Sequence, residues 1–135
     1  MNILTASSST AEVVRLRSKP NHGSFVRLGH ELLRSPAWQS LPVAARALYV
    51  EIAARYNGRN NGRIAFSVRD AKEALHLGQR TIYRAFNALE DRGLIICHIV
   101  CRKDGLPAVR EWELTDHDWD GMPATRAFLT WRRTE

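Results

Sequence analysis

The stretch SVRDAKEALHLGQRTIYRAFNALEDRGLI, residues Ser67–Ile95, decides the fold of this 135-residue chain. Ser67 followed by Asp70 is a capping-box pattern, which predicts that a helix begins there and runs over about 68–76. Gly78 interrupts the chain, and a helix over about 79–92 follows and ends at Gly93. The apolar residues of these two helices recur at helical spacing and predict their inward sides: Val68, Ala71, Ala74 and Leu75 in the first, and Ile82, Ala85, Phe86 and Leu89 in the second.

A further helix is predicted upstream, over Pro42–Asn57, because Pro42 suits a first turn and apolar residues follow at helical spacing. Before it, Phe25–Leu33 is a short apolar segment that Ser35-Pro36 stops. After it, a loop rich in Asn and Gly leads to Ile64-Ala65-Phe66, which is predicted to be a short strand.

The residues after the second helix of the opening stretch predict a β-hairpin. Leu94–Arg102 is rich in β-branched residues, Lys103-Asp104-Gly105 is a turn, and Val109–Thr115 is the returning strand. The predicted fold is therefore mainly α, of the α+β class: a winged helix-turn-helix. It would have a three-helix core, a C-terminal β-hairpin wing and a short C-terminal helix.

Three regions are expected along the chain: a flexible basic arm over residues 1–23, the winged helix-turn-helix domain over 24–115, and a segment over 116–135. The last region is predicted to be a solvated acidic turn containing Asp116, Asp118 and Asp120, followed by a short helix from Pro123. One side of that helix is apolar and is expected to dock on its own core, while pairing with a second copy through the same candidate dimerisation residues is the alternative: Ala124, Ala127, Phe128 and Trp131.

Charge is distributed unevenly. The net charge is +6, with ten basic and five acidic residues over 59–110 but three basic and six acidic residues over 111–135. A basic body indicates a polyanionic partner such as nucleic acid. No apolar run approaches the roughly 20 residues that span a bilayer, and the first residues lack the pattern of a signal peptide. A cytoplasmic, nucleoid-associated protein with no membrane partner is expected.

The outward side of the predicted helix over 79–92 carries side chains that read base edges. At 100° per residue, Arg80, Tyr83, Arg84 and Asn87 lie opposite the apolar side, and Gln79 lies at the amino-terminal end. Arginine can pair with guanine, and glutamine or asparagine with adenine, in the major groove of DNA. Tyr83 can alternatively pack on the hairpin, and Arg84 can alternatively pair with an acidic neighbour. Four further cations are proposed phosphate or wing contacts: Arg63, Arg69, Arg102 and Lys103.

Within the opening stretch the chain resembles the DNA-reading half of bacterial gluconate-repressor-type regulators. The matching residues are Ser67, Arg69, Leu77, Thr81, Ile82, Arg84, Ala85, Leu89, Glu90, Gly93, Leu94 and Ile95. The resemblance implies a winged helix-turn-helix in which Arg69, Arg80, Thr81 and Tyr83 lie at DNA-contacting positions. Gly78 departs from the usual Ser or Thr, and no metabolite-binding domain of that family is expected. Through Ser35–Leu41, Ala54–Gly62 and Pro123–Phe128, the chain as a whole is also similar to small helix-turn-helix proteins of plasmids, phages and integrative elements.

Catalytic and metal-binding patterns are missing from the sequence. There is no phosphate-binding glycine loop, no nucleophile elbow and no zinc-protease motif, so neither an enzyme nor a cofactor is expected. Cys97 and Cys101 would stand about 13 Å apart on a regular strand, with His98 on its other side, which excludes a shared zinc ion and a disulfide between them.

The predicted function is sequence-specific binding of double-stranded DNA by a transcriptional regulator of a bacterial mobile element, acting as a homodimer. A first alternative is a replication-initiation or excision factor that binds origin or attachment DNA. A second alternative is a winged-helix module without DNA affinity that binds a protein partner through its C-terminal segment.

Overall fold

The computed structural model describes residues 25–101, 105, 109–119 and 121–134. These residues form five α-helices, one 3₁₀ helix and a three-stranded antiparallel sheet, so the chain belongs to the α+β class. The elements are α1 (His30–Arg34), α2 (Pro36–Gln39), α3 (Val43–Ala54), β1 (Ile64–Ala65), α4 (Val68–Leu75), α5 (Gln79–Asp91), β2 (Ile95–Val100), β3 (Val109–Leu114) and the 3₁₀ helix Ala127–Thr130. The predicted arm over 1–23 lies outside the described residues.

Helix α3 is central to the core and is shorter than the sequence predicts. Leu48, Tyr49 and Ile52 are fully buried along its inner side. The helix ends at Ala54 rather than Asn57, since the amides of Arg55 and Tyr56 bond to carbonyls only three residues back. Three-residue bonds of this kind tighten and end the last turn of a helix.

The predicted pair of helices after residue 66 is confirmed. Ser67 Oγ accepts from the amide of Asp70 at 3.0 Å, and the Asp70 carboxylate accepts from the amide of Ser67 at 3.0 Å. This capping box fixes the start of α4. The helix ends at His76, which adopts the left-handed conformation with φ of 57°, and Gly78 then begins α5.

The sheet has the strand order β1-β3-β2, so the last strand in sequence lies in the middle. The predicted hairpin is confirmed as β2 paired with β3, in a register that places Cys97 opposite Trp112. Ile64 also lies opposite Trp112, on the other edge of β3. Trp112 is 1% exposed and therefore joins the sheet to the core on the side that the helices cover.

The segment before α3 contains two short helices where the sequence predicts only an apolar stretch and a stop. Ser35 separates them: its Oγ donates to the carbonyl of Leu32 at 2.7 Å and accepts from the amide of Trp38 at 3.2 Å. One buried hydroxyl thereby closes α1 and caps α2, with Pro36 in the first turn of the second helix.

The C-terminal segment differs from its prediction in two respects. The expected helix over 123–132 is wrong, because only one 3₁₀ turn forms and Arg126 before it is left-handed with φ of 52°. The expected solvated acidic turn is also wrong at Asp116 and His117, which are each 7% exposed. Asp116 and His117 are buried because they contact parts of the chain that are distant in sequence. Arg27, for example, donates to the Asp116 carbonyl at 2.8 Å.

The turn after α3 is held onto the end of β3 by one buried amide. Asn61 is 2% exposed, and its Oδ1 accepts from the amide of Leu114 at 2.6 Å. Its Nδ2 donates to the carbonyls of Leu114, His117 and Asp118 at 3.0 to 3.1 Å. The next residue, Gly62, has φ of +88° and lies against the indole ring of Trp119. None of the helices in the described ranges is long and apolar enough to cross a membrane.

Candidate nucleic-acid interface

Helix α5 has two chemically different sides. Its inner side is buried through Ile82, Ala85, Phe86 and Leu89. The residues that the sequence placed on the outward side are all exposed: Gln79, Arg80, Thr81, Tyr83, Arg84 and Asn87. The predicted orientation of the helix is therefore confirmed. It presents a strip of guanidinium, amide, hydroxyl and phenol groups, which we call the outward strip of α5.

Aromatic packing fixes α5 against the sheet. The ring of Phe86 stacks on that of Trp112, with centroids 5.0 Å apart and planes 18° from parallel. Trp112 Nε1 in turn donates to the carbonyl of Phe66 at 2.9 Å. Since both rings are at most 4% exposed, the helix is supported by a dry contact. The outward strip thus lies on a rigid element rather than on a loop.

The amino-terminal end of α5 is open. Gly78 has no side chain to cap the helix, and the first intrahelical bond runs from the amide of Ile82 to the carbonyl of Gly78. The amides of Gln79, Arg80 and Thr81 therefore have no partner within the helix. Backbone amides at this end, together with the helix dipole, favour an anion such as a phosphate.

The charged side chains of α5 reinforce the attraction that the helix dipole exerts on an anion at the amino-terminal end. Arg80 and Arg84 lie in the first half of the helix, whereas Glu90 and Asp91 lie in its last turn, and all four are exposed. A polyanion is therefore attracted to the amino-terminal half and repelled from the carboxyl-terminal end.

A groove of about 480 Å³ lies between α5, the start of α4 and β3. Phe66, Phe86 and Trp112 contribute to its apolar part, while Tyr83, Asn87 and Arg110 supply polar groups. Arg110 is exposed, and it lies two residues before Trp112 on the same side of β3, the side that α5 covers. Sequence analysis missed Arg110, although its alternation with buried Trp112 was a signal that could have found it.

The other cations predicted to contact DNA lie outside the outward strip of α5. The Arg69 side chain is 89% exposed, and its Nε is 3.8 Å from Glu73, which is itself 71% exposed. Such a pair is strongly screened by solvent and leaves the cation available. Arg63 is exposed and donates to the carbonyl of Arg59 at 2.9 Å. The remaining two cations, Arg102 and Lys103, lie outside the described residues.

A second cavity, of about 700 Å³, lies near the carboxyl-terminal end of α3 and is lined in part by Arg27, Tyr56, Asp116 and His117. Arg27 donates to Nδ1 of His117 at 3.1 Å. Burial, reinforced by the nearby Arg27 guanidinium, lowers the pKa of His117 to about 4. Because a guanidinium can only donate, the neutral ring carries its proton on Nε2. Burial raises the pKa of Asp116, against the opposing effects of Arg27 and Arg126.

The side chains considered above as metal ligands, Cys97, His98 and Cys101, make other contacts or remain free thiols. His98 Nε2 lies 2.9 Å from Oε1 of Glu113, which is only 2% exposed. Cys97 is half-buried and Cys101 exposed, and both are free thiols. Within the described part of the chain, no three His, Cys, Asp or Glu side chains converge as metal ligands would.

The predicted dimerisation residues pack on their own chain. Phe128 is fully buried against its own chain, as the expected docking on the core requires, so its side chain is not available to a second copy. Trp131 is half-buried, with the Arg92 guanidinium 5.0 Å from its ring centroid. Ala127 lies so close to Gly93 that a Cβ there would be 3.0 Å from its backbone. Ala124 is half-buried as well and lines the larger cavity.

Comparison with protein-family models, with curated proteins and with solved structures gave no match for this chain.

Proposed function

We propose that this chain is a sequence-specific, double-stranded DNA-binding transcriptional regulator built as a winged helix-turn-helix protein. In this interpretation α4 and α5 are the helix-turn-helix, α5 reads the major groove, and the hairpin of β2 and β3 is the wing. The outward strip of α5 is the single observation that carries the proposal.

Shape and chemistry both support this role for α5. The major groove of B-DNA admits one α-helix, and residues near the amino-terminal end of a reading helix contact base edges. Gln79, Arg80 and Arg84 are exposed in that part of α5. Arg80 pairs with guanine, and the amides of Gln79 and Asn87 pair with adenine, in the proposed complex.

Contacts to the phosphate backbone would flank the reading helix. The open amino-terminal turn of α5 and the exposed Arg69 are proposed to bind one strand. Arg110, beside the groove between β3 and α5, is a further proposed phosphate contact, as are Arg63, Arg102 and Lys103. Such contacts position a protein on DNA without reading its sequence.

Selection of bound sites from random duplexes, followed by titration of the selected site, tests the proposal. Arg80→Ala is expected to weaken binding by ~1–3 kcal/mol and to relax sequence preference at one position. Arg34→Ala is the matched control, since it removes an exposed guanidinium from α1 and should leave affinity unchanged. Absence of any enriched sequence, or equal binding by wild type and Arg80→Ala, would count against the proposal.

Salt dependence separates the phosphate contacts from the base contacts. With about five phosphates neutralised, log K against log salt should have a slope near −4 to −5. Arg69→Ala should weaken binding to all sequences alike and reduce that slope by about 1. Selected sites in tandem array, rather than a single palindrome, would favour the replication or excision role over transcriptional regulation.

A further inference from the structure

Helix α3 carries apolar residues on both of its sides. The inner side is buried in the core. The outer side carries Val43, which is 81% exposed, and Val50, which is 36% exposed, together with half-buried Ala47 and exposed Ala54. Exposed apolar residues at helical spacing form a strip that a second element can cover. We call these four residues the outer seam of α3.

The spacing of the outer seam is that of a coiled-coil heptad. Val43, Ala47, Val50 and Ala54 follow one another at intervals of four, three and four residues. This is the alternation of a and d positions in a heptad, with valine at d and alanine at a. The alanines are small enough to let a second helix approach closely.

Opposite charges flank the seam in the matching heptad positions. Arg46 directly precedes Ala47 and takes position g, and Glu51 directly follows Val50 and takes position e. In a parallel pair of helices, a g residue of one helix faces the e residue five positions later in the other. Two copies of α3 side by side therefore place Arg46 of each opposite Glu51 of the other.

Both charged groups already lie at the margin of the seam. Arg46 donates to the carbonyl of Gln39 at 3.0 Å, and its guanidinium lies 5.8 Å from the ring centroid of Trp38. Glu51 is half-buried, with its Oε1 3.1 Å from the Arg55 guanidinium in the next turn. Both groups are thus held on their own chain, and a second copy would engage the donors and the carboxylate oxygen that these contacts do not use, since a guanidinium has five donors and a carboxylate accepts through two oxygens.

We propose that the outer seam of α3 is the interface with a second copy of this chain, in which the two α3 helices pack parallel and in register. A second copy is the occupant because the surface is complementary to itself: one two-fold axis along the helices aligns the seam and both charge pairs. The proposal goes beyond DNA binding and does not depend on it. It also assigns pairing to a surface other than residues 123–132, which pack on their own core.

Sedimentation equilibrium of the full chain without DNA, from micromolar to submillimolar protein, is the first test. The wild type is expected to approach twice the monomer mass as concentration rises. Val50→Lys places two cations together at the centre of the seam and should leave a monomer. Met122→Lys, which adds the same charge at a position 61% exposed and outside the seam, should leave the association unchanged. A wild type that stays monomeric, or an unaffected Val50→Lys variant, would overturn the proposal.

A charge swap tests the parallel register itself. Arg46→Glu and Glu51→Lys each place like charges opposite one another in their own pairs, so each variant alone should be monomeric. An equimolar mixture of the two restores opposite charges on both sides and should form a heterodimer. Circular dichroism of each variant checks that it is folded. If folded single variants associate as the wild type does, or if their mixture remains monomeric while the wild type is dimeric, the parallel pairing is wrong.

Discussion

Replacing Asn61 by alanine should remove a buried polar contact between parts of the chain that are distant in sequence. The side chain joins the turn after α3 to the end of β3, more than 50 residues away in sequence. Without it, the buried amide of Leu114 loses its acceptor, and the carbonyls of His117 and Asp118 lose donors. An unsatisfied buried amide costs ~1–3 kcal/mol, and each lost neutral hydrogen bond adds about 0.5–1.5 kcal/mol. We expect the free energy of unfolding to fall by about 3 kcal/mol.

Urea unfolding followed by tryptophan fluorescence measures this change. Asn60→Ala is the matched control, because the neighbouring amide makes two hydrogen bonds at an exposed site, and its loss should cost under about 1 kcal/mol. Asn61→Asp keeps the acceptor but directs a carboxylate at three carbonyl oxygens, so its cost should equal or exceed that of alanine. Equal, small effects of Asn61→Ala and Asn60→Ala would refute the reasoning.

Three further outcomes follow from buried contacts. Because the folded pKa of His117 lies near 4, below the unfolded value near 6.5, only the unfolded chain takes up its proton between these values. The contribution of His117 to the free energy of unfolding is therefore present above about pH 6.5 and should fall by about 2 kcal/mol by pH 5. Urea melts should show this loss for the wild type but not for His117→Asn. Gly62→Ala should destabilise by more than Gly58→Ala in thermal melts, since both glycines have positive φ but only at Gly62 would a Cβ meet an atom, Trp119 Nε1 at 2.4 Å. Trp112→Phe should cost about 1–2 kcal/mol in urea melts through loss of the bond to the Phe66 carbonyl, and unchanged stability would show that this bond contributes nothing.

Much of the fold could be predicted from local sequence because its signals are local. The boundaries of α4 and α5 follow from Ser67, Gly78 and Gly93, each of which acts on its immediate neighbours. The pairing of β2 with β3 follows in the same way from a β-branched run, whereas Lys103 and Asp104 of the predicted turn lie outside the described residues. The inner and outer sides of α5 needed only the period of a helix, so the exposed strip at its surface could be predicted as well.

What local sequence could not predict depends on partners that are far away in the chain. Asp116 and His117 look like part of a solvated turn until Arg27, about 90 residues earlier, is placed beside them. The apolar spacing before Trp131 predicts a helix, but Phe128 is buried in the core and only one 3₁₀ turn forms, after a left-handed Arg126. The relation of Arg110 to α5 likewise needs the register of β3, which the residues of that strand alone do not contain.

The position of β3 in the middle of the sheet bears on how the chain matures during synthesis. When translation has reached the end of β2, every helix of the amino-terminal part has been made, but β1 and β2 have no strand between them. Phe86 then lacks the indole ring that later stacks on it, and the Phe66 carbonyl lacks its donor, so apolar surface stays exposed until β3 is made. Because the central strand is the last one made, we expect a chain that stops before residue 109 to aggregate rather than to fold as a smaller domain.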